Sequence, residues 1–174
     1  MTTTALKIAL VGAESTGKTQ LARELALHWG GAGRRAIAVG EVLREWCDRE
    51  GRTPHADEQM RIAQEQASRI DQAAKHADVV IADTTPLMIA IYSDLLFADR
   101  SILPMALDFQ RGFDVTLLTG LDVAWVADGL QRDGPHVREP VDARIRAALQ
   151  GAGIDFKVIY GAGPARMQSA LFAI

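Results

Sequence analysis

Cysteine is almost missing from this chain. Cys47 is the single one in 174 residues, so no intrachain disulfide can form and a disulfide-stapled secreted scaffold is excluded. No apolar run approaches the ~20 residues that a membrane-spanning helix requires; the stretch around Leu87 to Tyr92 is far too short. A basic excess is absent too, since the net charge is −3. That balance argues against a general nucleic-acid binder, while leaving room for a local phosphate pocket. His28, His55, His76 and His136 show no ligand spacing with one another or with Cys47, so a transition-metal centre is not expected. The opening Met1-Thr2-Thr3-Thr4 has neither the basic start nor the apolar stretch of a secretory signal. Repeats, low-complexity tracts and linkers are also wanting. The expectation is a cytoplasmic protein with neither a membrane nor a nucleic acid as partner.

What is present suits one globular domain over residues 1–174. Hydrophobic content of 48% and charged content of 24% are ordinary, and the length allows one proper core. Short, nearly continuous apolar runs predict strands at Leu6–Val11, Ala36–Val39, Asp78–Ala82, Asp114–Leu118 and Phe156–Tyr160. Between them lie helical patterns at Lys18–His28, Glu41–Arg49, Ala56–Ala77, Pro86–Phe97, Leu103–Gln110, Val141–Leu149 and Pro164–Phe172. The third is the clearest, with Met60, Ala63, Ala67, Ile70, Ala74 and Ala77 recurring at three- and four-residue spacing. Strand and helix in alternation predict an α/β fold with a five-stranded parallel sheet and helices on both faces. Ligands of such sheets gather at the carboxyl ends of the strands.

The first of those ends carries the most specific signal. Gly12-Ala13-Glu14-Ser15-Thr16-Gly17-Lys18-Thr19 is a complete G-x-x-x-x-G-K-[ST] loop between a strand and a helix. Its backbone N–H groups and the helix N-terminus would cradle the β- and γ-phosphates of ATP. Lys18 would reach across those phosphates and the Thr19 hydroxyl would take a place on Mg²⁺. The fold expected is therefore that of a P-loop NTPase.

The third strand ends in Asp83, where P-loop enzymes hold Mg²⁺, although such an Asp can also cap a following helix. Thr84 stands where many ATP-driven motors have a water-orienting Glu, which favours an acceptor other than water. Asp83-Thr84-Thr85-Pro86 lacks the glycine of the GTPase Asp-x-x-Gly, and Thr119-Gly120-Leu121-Asp122 lacks the lysine of [NT]-K-x-D. Guanine specificity is not expected.

Glu41 follows the second strand, with Arg44 one turn further on the same face. The pair can take a proton from a substrate hydroxyl or hold a ribose, or it can be a surface ion pair. Trp46 can stack on a base or lie in the core. Past the fourth strand, Trp125 to Glu139 combines Gly129, Gly134 and Pro135 with Arg132 and Arg138. That composition suits a lid near 126–140 whose arginines reach the phosphates and exclude water, the alternative being a solvated turn.

Taken together, the Glu-bearing P-loop, Glu41-Val-Leu-Arg-Glu45, Asp83-Thr84, Asp114-Val-Thr-Leu-Leu118 and Trp125-Val-Ala-Asp-Gly129 resemble the nicotinamide riboside kinase domain at the C-terminal end of NadR-type proteins. The resemblance also extends to the small P-loop ATPase/kinases of NAD metabolism, and it spans nearly the whole chain. It implies a nucleoside/nucleotide-kinase-like fold and transfer of the ATP γ-phosphate to a nucleoside 5′-hydroxyl, with nicotinamide riboside giving nicotinamide mononucleotide. By matching position, Gly12 to Thr19 would bind ATP, with Thr19 and Asp83 serving Mg²⁺. Glu41, Arg44, Trp46 and Asp83 would form the nucleoside site. Lys18, Asp83, Glu41, Arg132 and Arg138 would act in catalysis, and either Glu41 or Asp83 would face the attacking hydroxyl. The expected partner is a small nucleoside-like substrate, and self-association is left open. A regulatory ATP-binding switch, and a kinase for a nucleotide monophosphate or coenzyme precursor, stay in play; Arg44, Arg49 and Arg52 keep the latter alive.

Overall fold

The computed structural model describes residues 4–127 and 134–174. Five parallel strands, β1 (Leu6–Val11), β2 (Ala36–Val39), β3 (Val79–Asp83), β4 (Val115–Thr119) and β5 (Lys157–Ile159), lie in the order β2-β3-β1-β4-β5. The helices are α1 (Lys18–Gly31), α2 (Val42–Glu50), α3 (Ala56–Ala74), α4 (Pro86–Phe97), α5 (Leu103–Gln110), α6 (Arg138–Gly151) and α7 (Gly163–Ala173).

Alternation along the strands explains why both sheet faces are covered. In β1, Ile8 and Leu10 pack with Val79, Ile81, Leu117 and Ile159 against α1 and α7. Val11, the next residue and so on the opposite face, joins Leu118 beneath α2, α3, α4 and α6, and Val80 and Ala82 pack beside Ile70 of α3. A strand apolar on both faces can exist only between two helical layers. Tandem crossovers then place every loop at the strands' carboxyl edge on one rim.

Element positions follow the sequence expectations closely, with three informative shifts. Helix α3 stops at Ala74 rather than Ala77. Asp78 is committed to Arg35: its N–H donates to the Arg35 carbonyl at 2.8 Å and its carboxylate accepts the Arg35 N–H at 2.9 Å. The chain must straighten before that point. Helix α1 continues to Gly31, past the expected end at His28. Helix α6 starts at Arg138, three residues before Val141, because the 3-10 turn Pro135–Val137 feeds directly into it.

Candidate active site

The C-terminal end of β1 opens into the phosphate loop, and three features fix its shape. Gly12 has φ +155, and a Cβ there would overlap Thr119 Oγ1 at the end of β4. Thr119 Oγ1 lies 2.7 Å from Thr16 Oγ1 and donates to the Val11 carbonyl at 3.3 Å. Gly17 adopts a left-handed conformation at the N-cap of α1. Lys18 Nζ folds back to donate to the Ala13 carbonyl at 2.8 Å, beside the Thr16 hydroxyl, which donates to the same oxygen at 2.7 Å. The loop is thus closed on itself, with its lysine at the position from which it can swing to an anion.

Contacts with two distant segments brace this loop. The buried Arg166 of α7 donates through Nη1 to the Thr16 carbonyl and through Nε to the Gly161 carbonyl at 2.7 Å. Its guanidinium stands 3.8 Å from Asp122, which also accepts the Gly161 N–H at 2.6 Å. Burial lowers the Arg166 pKa from its ordinary value, and Asp122 opposes that shift. The other brace is Ser15, whose hydroxyl accepts the Val126 N–H at 2.8 Å and donates to the Val126 carbonyl at 3.0 Å.

Next to β1, in-register pairing puts Asp83 opposite Leu10. Asp83 is buried and its Oδ1 has no hydrogen-bond partner. The Thr84 N–H donates to the Leu10 carbonyl at 3.1 Å, so the backbone turns sharply here, at φ 70. A buried carboxylate oxygen left unpartnered costs on the order of 1–3 kcal/mol or more. On the strand next to the one that delivers the phosphate loop, an oxygen donor of this kind fits a divalent cation. Nearby, the buried Gln110 accepts from the Thr85 hydroxyl at 2.7 Å and donates to the Thr116 hydroxyl at 2.9 Å, which fixes the start of α4.

Glu41 is the N-cap of α2, and Arg44 lies 3.6 Å from its carboxylate. The backbone on either side of Glu41 is held by one residue. Gln66 of α3 accepts the Val42 N–H at 2.8 Å and donates to the Gly40 carbonyl at 3.2 Å. Position 41 is therefore anchored to α3 as firmly as to its own helix.

A continuous cleft of about 710 Å³ joins these parts, within the usual range for small-molecule sites. The phosphate loop from Gly12 through Thr19, except for Ala13, lines one end. Glu41, Arg44 and Thr84 lie along it, and Leu43, Pro54, Met88, Tyr92, Leu96 and Phe97 supply an apolar slot. The structure thus brings together Gly12, Glu14, Ser15, Thr16, Gly17, Lys18, Thr19, Glu41 and Arg44. Ala13 is buried behind them and contributes its carbonyl to Lys18. Asp83 is buried and does not itself line the cleft, although its neighbour Thr84 does.

Two expected site residues sit elsewhere. Trp46 is 4% exposed and packs in the core with Val42, Leu43 and Cys47 of the apolar face of α2. Its ring is covered by the Arg52 guanidinium, 4.8 Å from the centroid, so it offers no face to a ligand. Arg138, expected on a lid, is buried in the first turn of α6 and does not line the cleft. Its charge instead acts on Arg166. Arg132 and Asp128 lie outside the described residues, as does the middle of the expected lid. Among the described residues, no group of three or more His, Cys, Asp or Glu side chains could hold a metal ion, and no helix is long and apolar enough to cross a membrane. Arg166, Gln66 and Gln59, which also lines the cleft, escaped the sequence reading. Their partners or positions depend on chain segments far away in sequence.

No curated protein matches the chain. Among solved structures, a NadR protein in complex with NR superposes with TM-score 0.76 at 18% identity, over 97% of this chain and 50% of the other. The chain therefore spans about half the length of that protein. Thymidylate kinase from Ehrlichia chaffeensis gives 0.66 at 14% identity, covering 97% of both chains. Deoxyadenosine kinase from M. mycoides with dATP gives 0.64 at 14% identity, covering 96% and 97%. At such identities the likeness establishes the fold alone. That fold is the five-stranded parallel P-loop architecture of nucleoside and nucleotide kinases. The family described as AAA domain matches residues 7–166, nearly the whole length and including the entire phosphate loop, and the chain belongs to that family.

Proposed function

We propose that this protein is a small-molecule kinase that transfers the γ-phosphoryl group of Mg-ATP to the 5′-hydroxyl of a nucleoside, with nicotinamide riboside as the first candidate. The observation that carries this reading is the single cleft with two unlike kinds of lining. Part of its wall is the phosphate loop; much of the rest is apolar, and Glu41 and Arg44 lie on the same wall. A triphosphate and a flat organic acceptor can share such a space. The NadR structure with NR, the deoxyadenosine kinase and the thymidylate kinase lend support from related architectures.

The nucleoside reading is favoured over a monophosphate acceptor by where the arginines go. Arg49 pairs with Glu50 at 2.9 Å, and Arg52 makes a fork to Glu58 at 2.8 and 2.9 Å. Neither lines the cleft. Only Arg44 remains near the acceptor end among the described residues, and it is paired with Glu41.

In the reaction, the acceptor oxygen bonds to the γ-phosphorus while the bond from that phosphorus to the β-phosphate oxygen breaks, releasing ADP. Glu41, which lines the cleft, takes the hydroxyl proton; Asp83, deeper and unpartnered at Oδ1, is the better cation ligand with Thr19. Bound Mg²⁺ would neutralise charge on the phosphate oxygens. Lys18 leaves the Ala13 carbonyl to hold the transferring group, and the apolar slot keeps water from competing.

The test is ADP formation with Mg-ATP across a panel of nucleosides and nucleotides. One neutral or cationic nucleoside should stimulate turnover strongly, and Lys18→Ala should abolish it while circular dichroism stays unchanged. Slow ADP release indifferent to every candidate would refute a kinase and favour an ATP-dependent switch.

A further inference from the structure

One residue of the cleft wall carries a polar atom that the protein itself does not use. Gln59, the fourth residue of α3, is 2% exposed, and its Oε1 is buried with no hydrogen-bond partner, yet the residue lines the cleft. Seven residues later on the same helical face stands Gln66, which uses both ends of its amide on the backbone around Glu41. One buried glutamine on this face is satisfied internally and the other is not. Leaving an amide oxygen dry and unpartnered is unfavourable, so a cleft-lining residue that keeps one is suited to a ligand's donor.

The surroundings define that ligand. Leu43, Pro54, Met88, Leu96 and Phe97 line the same cleft, and Leu96 and Phe97 are 52% and 40% exposed at its rim. A flat ring would cover such apolar surface. Gln59 is also held in place: the first turn of α3 is pinned by Glu58, which accepts the His55 N–H at 2.8 Å and the Arg52 fork. A pre-positioned acceptor in an apolar slot discriminates by penalising ligands that cannot satisfy it.

We propose that Gln59 is the specificity-determining residue for the acceptor, its amide oxygen accepting an N–H from the edge of the acceptor's heteroaromatic base. This rests on the nucleoside-kinase reading above and narrows it to bases bearing a carboxamide or amino group.

The experiment compares matched pairs that differ only in that group: nicotinamide riboside against pyridine riboside, and adenosine against purine riboside. For whichever pair the wild-type protein phosphorylates with Mg-ATP, kcat/KM should favour the donor-bearing member by about 10- to 100-fold. Gln59→Leu, similar in volume, should shrink that ratio to about threefold or less without changing the KM for ATP. Gln59→Glu, which still presents an accepting oxygen, should retain the preference, and thermal melts of both variants report whether they fold. Equal use of both members by the wild type would overturn the proposal. So would an equal loss on both in Gln59→Leu, which marks a structural role. If the wild type phosphorylates no nucleoside at all, the kinase reading falls and takes this inference with it. Phosphorylation without donor preference sinks the inference alone.

Discussion

Replacing Gly12 by alanine probes the phosphate loop where its atoms are most crowded. The new Cβ would overlap Thr119 Oγ1 and stand 3.2 Å from both the Thr119 carbonyl oxygen and Thr16 Oγ1. Thr119 cannot turn away freely, since its hydroxyl is held by Thr16 at 2.7 Å and by the Val11 carbonyl at 3.3 Å. Because Thr16 gives its proton to the Ala13 carbonyl, the Thr119 hydroxyl has one proton to share between these partners, and losing that bond costs about 1 kcal/mol. Forcing a side chain onto the φ +155 backbone adds roughly 1–3 kcal/mol. The sum is about 2–4 kcal/mol, or a fall of roughly 10 °C in Tm for a chain of this size. Thermal melts and calorimetry of Mg-ATP uptake should show both the fall and a large loss of affinity. The Thr119→Ala background removes the overlapping oxygen, so the double variant should lose less stability than the two single changes added together. A Gly12→Ala protein that melts within about 2 °C of the wild type and takes up Mg-ATP normally would refute the packing argument.

Two further outcomes follow from the charges around the site. Glu58 is held down to about 2, chiefly by its hydrogen bond from Arg52 and then by the His55 N–H. Its folded value lies below its ordinary 4.5, so the stability it lends is complete above pH 4.5 and lost as pH falls towards 2. Glu58→Gln should flatten the Tm profile across that window, and an unchanged acid slope would exclude this group as the cause. Asp83→Asn should raise the Mg²⁺ concentration needed for ADP formation by about tenfold or more, read by titrating metal at fixed ATP. An unaltered Mg²⁺ dependence would place the cation elsewhere.

The fold was readable because each of its strands is short, apolar and bounded by polar turns. Leu6–Val11 and Ala36–Val39 form as expected to the residue, as do the helices Pro86–Phe97 and Leu103–Gln110. The P-loop was equally plain, since its chemistry needs contiguous residues in fixed spacing. What local pattern could not reveal was tertiary choice. Trp46 reads the same whether it faces a ligand or α3, and the packing of the α2 apolar face decided for the core. Arg166 looks like an ordinary helix arginine until the fold lays it on the Thr16 carbonyl, 150 residues away. Gln59 and Gln66 are identical in type and share a face; only the approach of α2 to one of them separates a brace from a candidate ligand contact.

The ring closed by the Ser15 hydroxyl and the Val126 peptide has a consequence for how variants should be interpreted. It ties nucleotide cradle and downstream chain into one mechanical unit across 111 positions of sequence. Alanine at 15 would sever both strands of that tie at once, so a weaker grip on the triphosphate and a loosened route out of the β4 loop would arrive as a single phenotype. Drift is thereby constrained at 15 and tolerated at 126, because the join takes a hydroxyl from one and only backbone from the other.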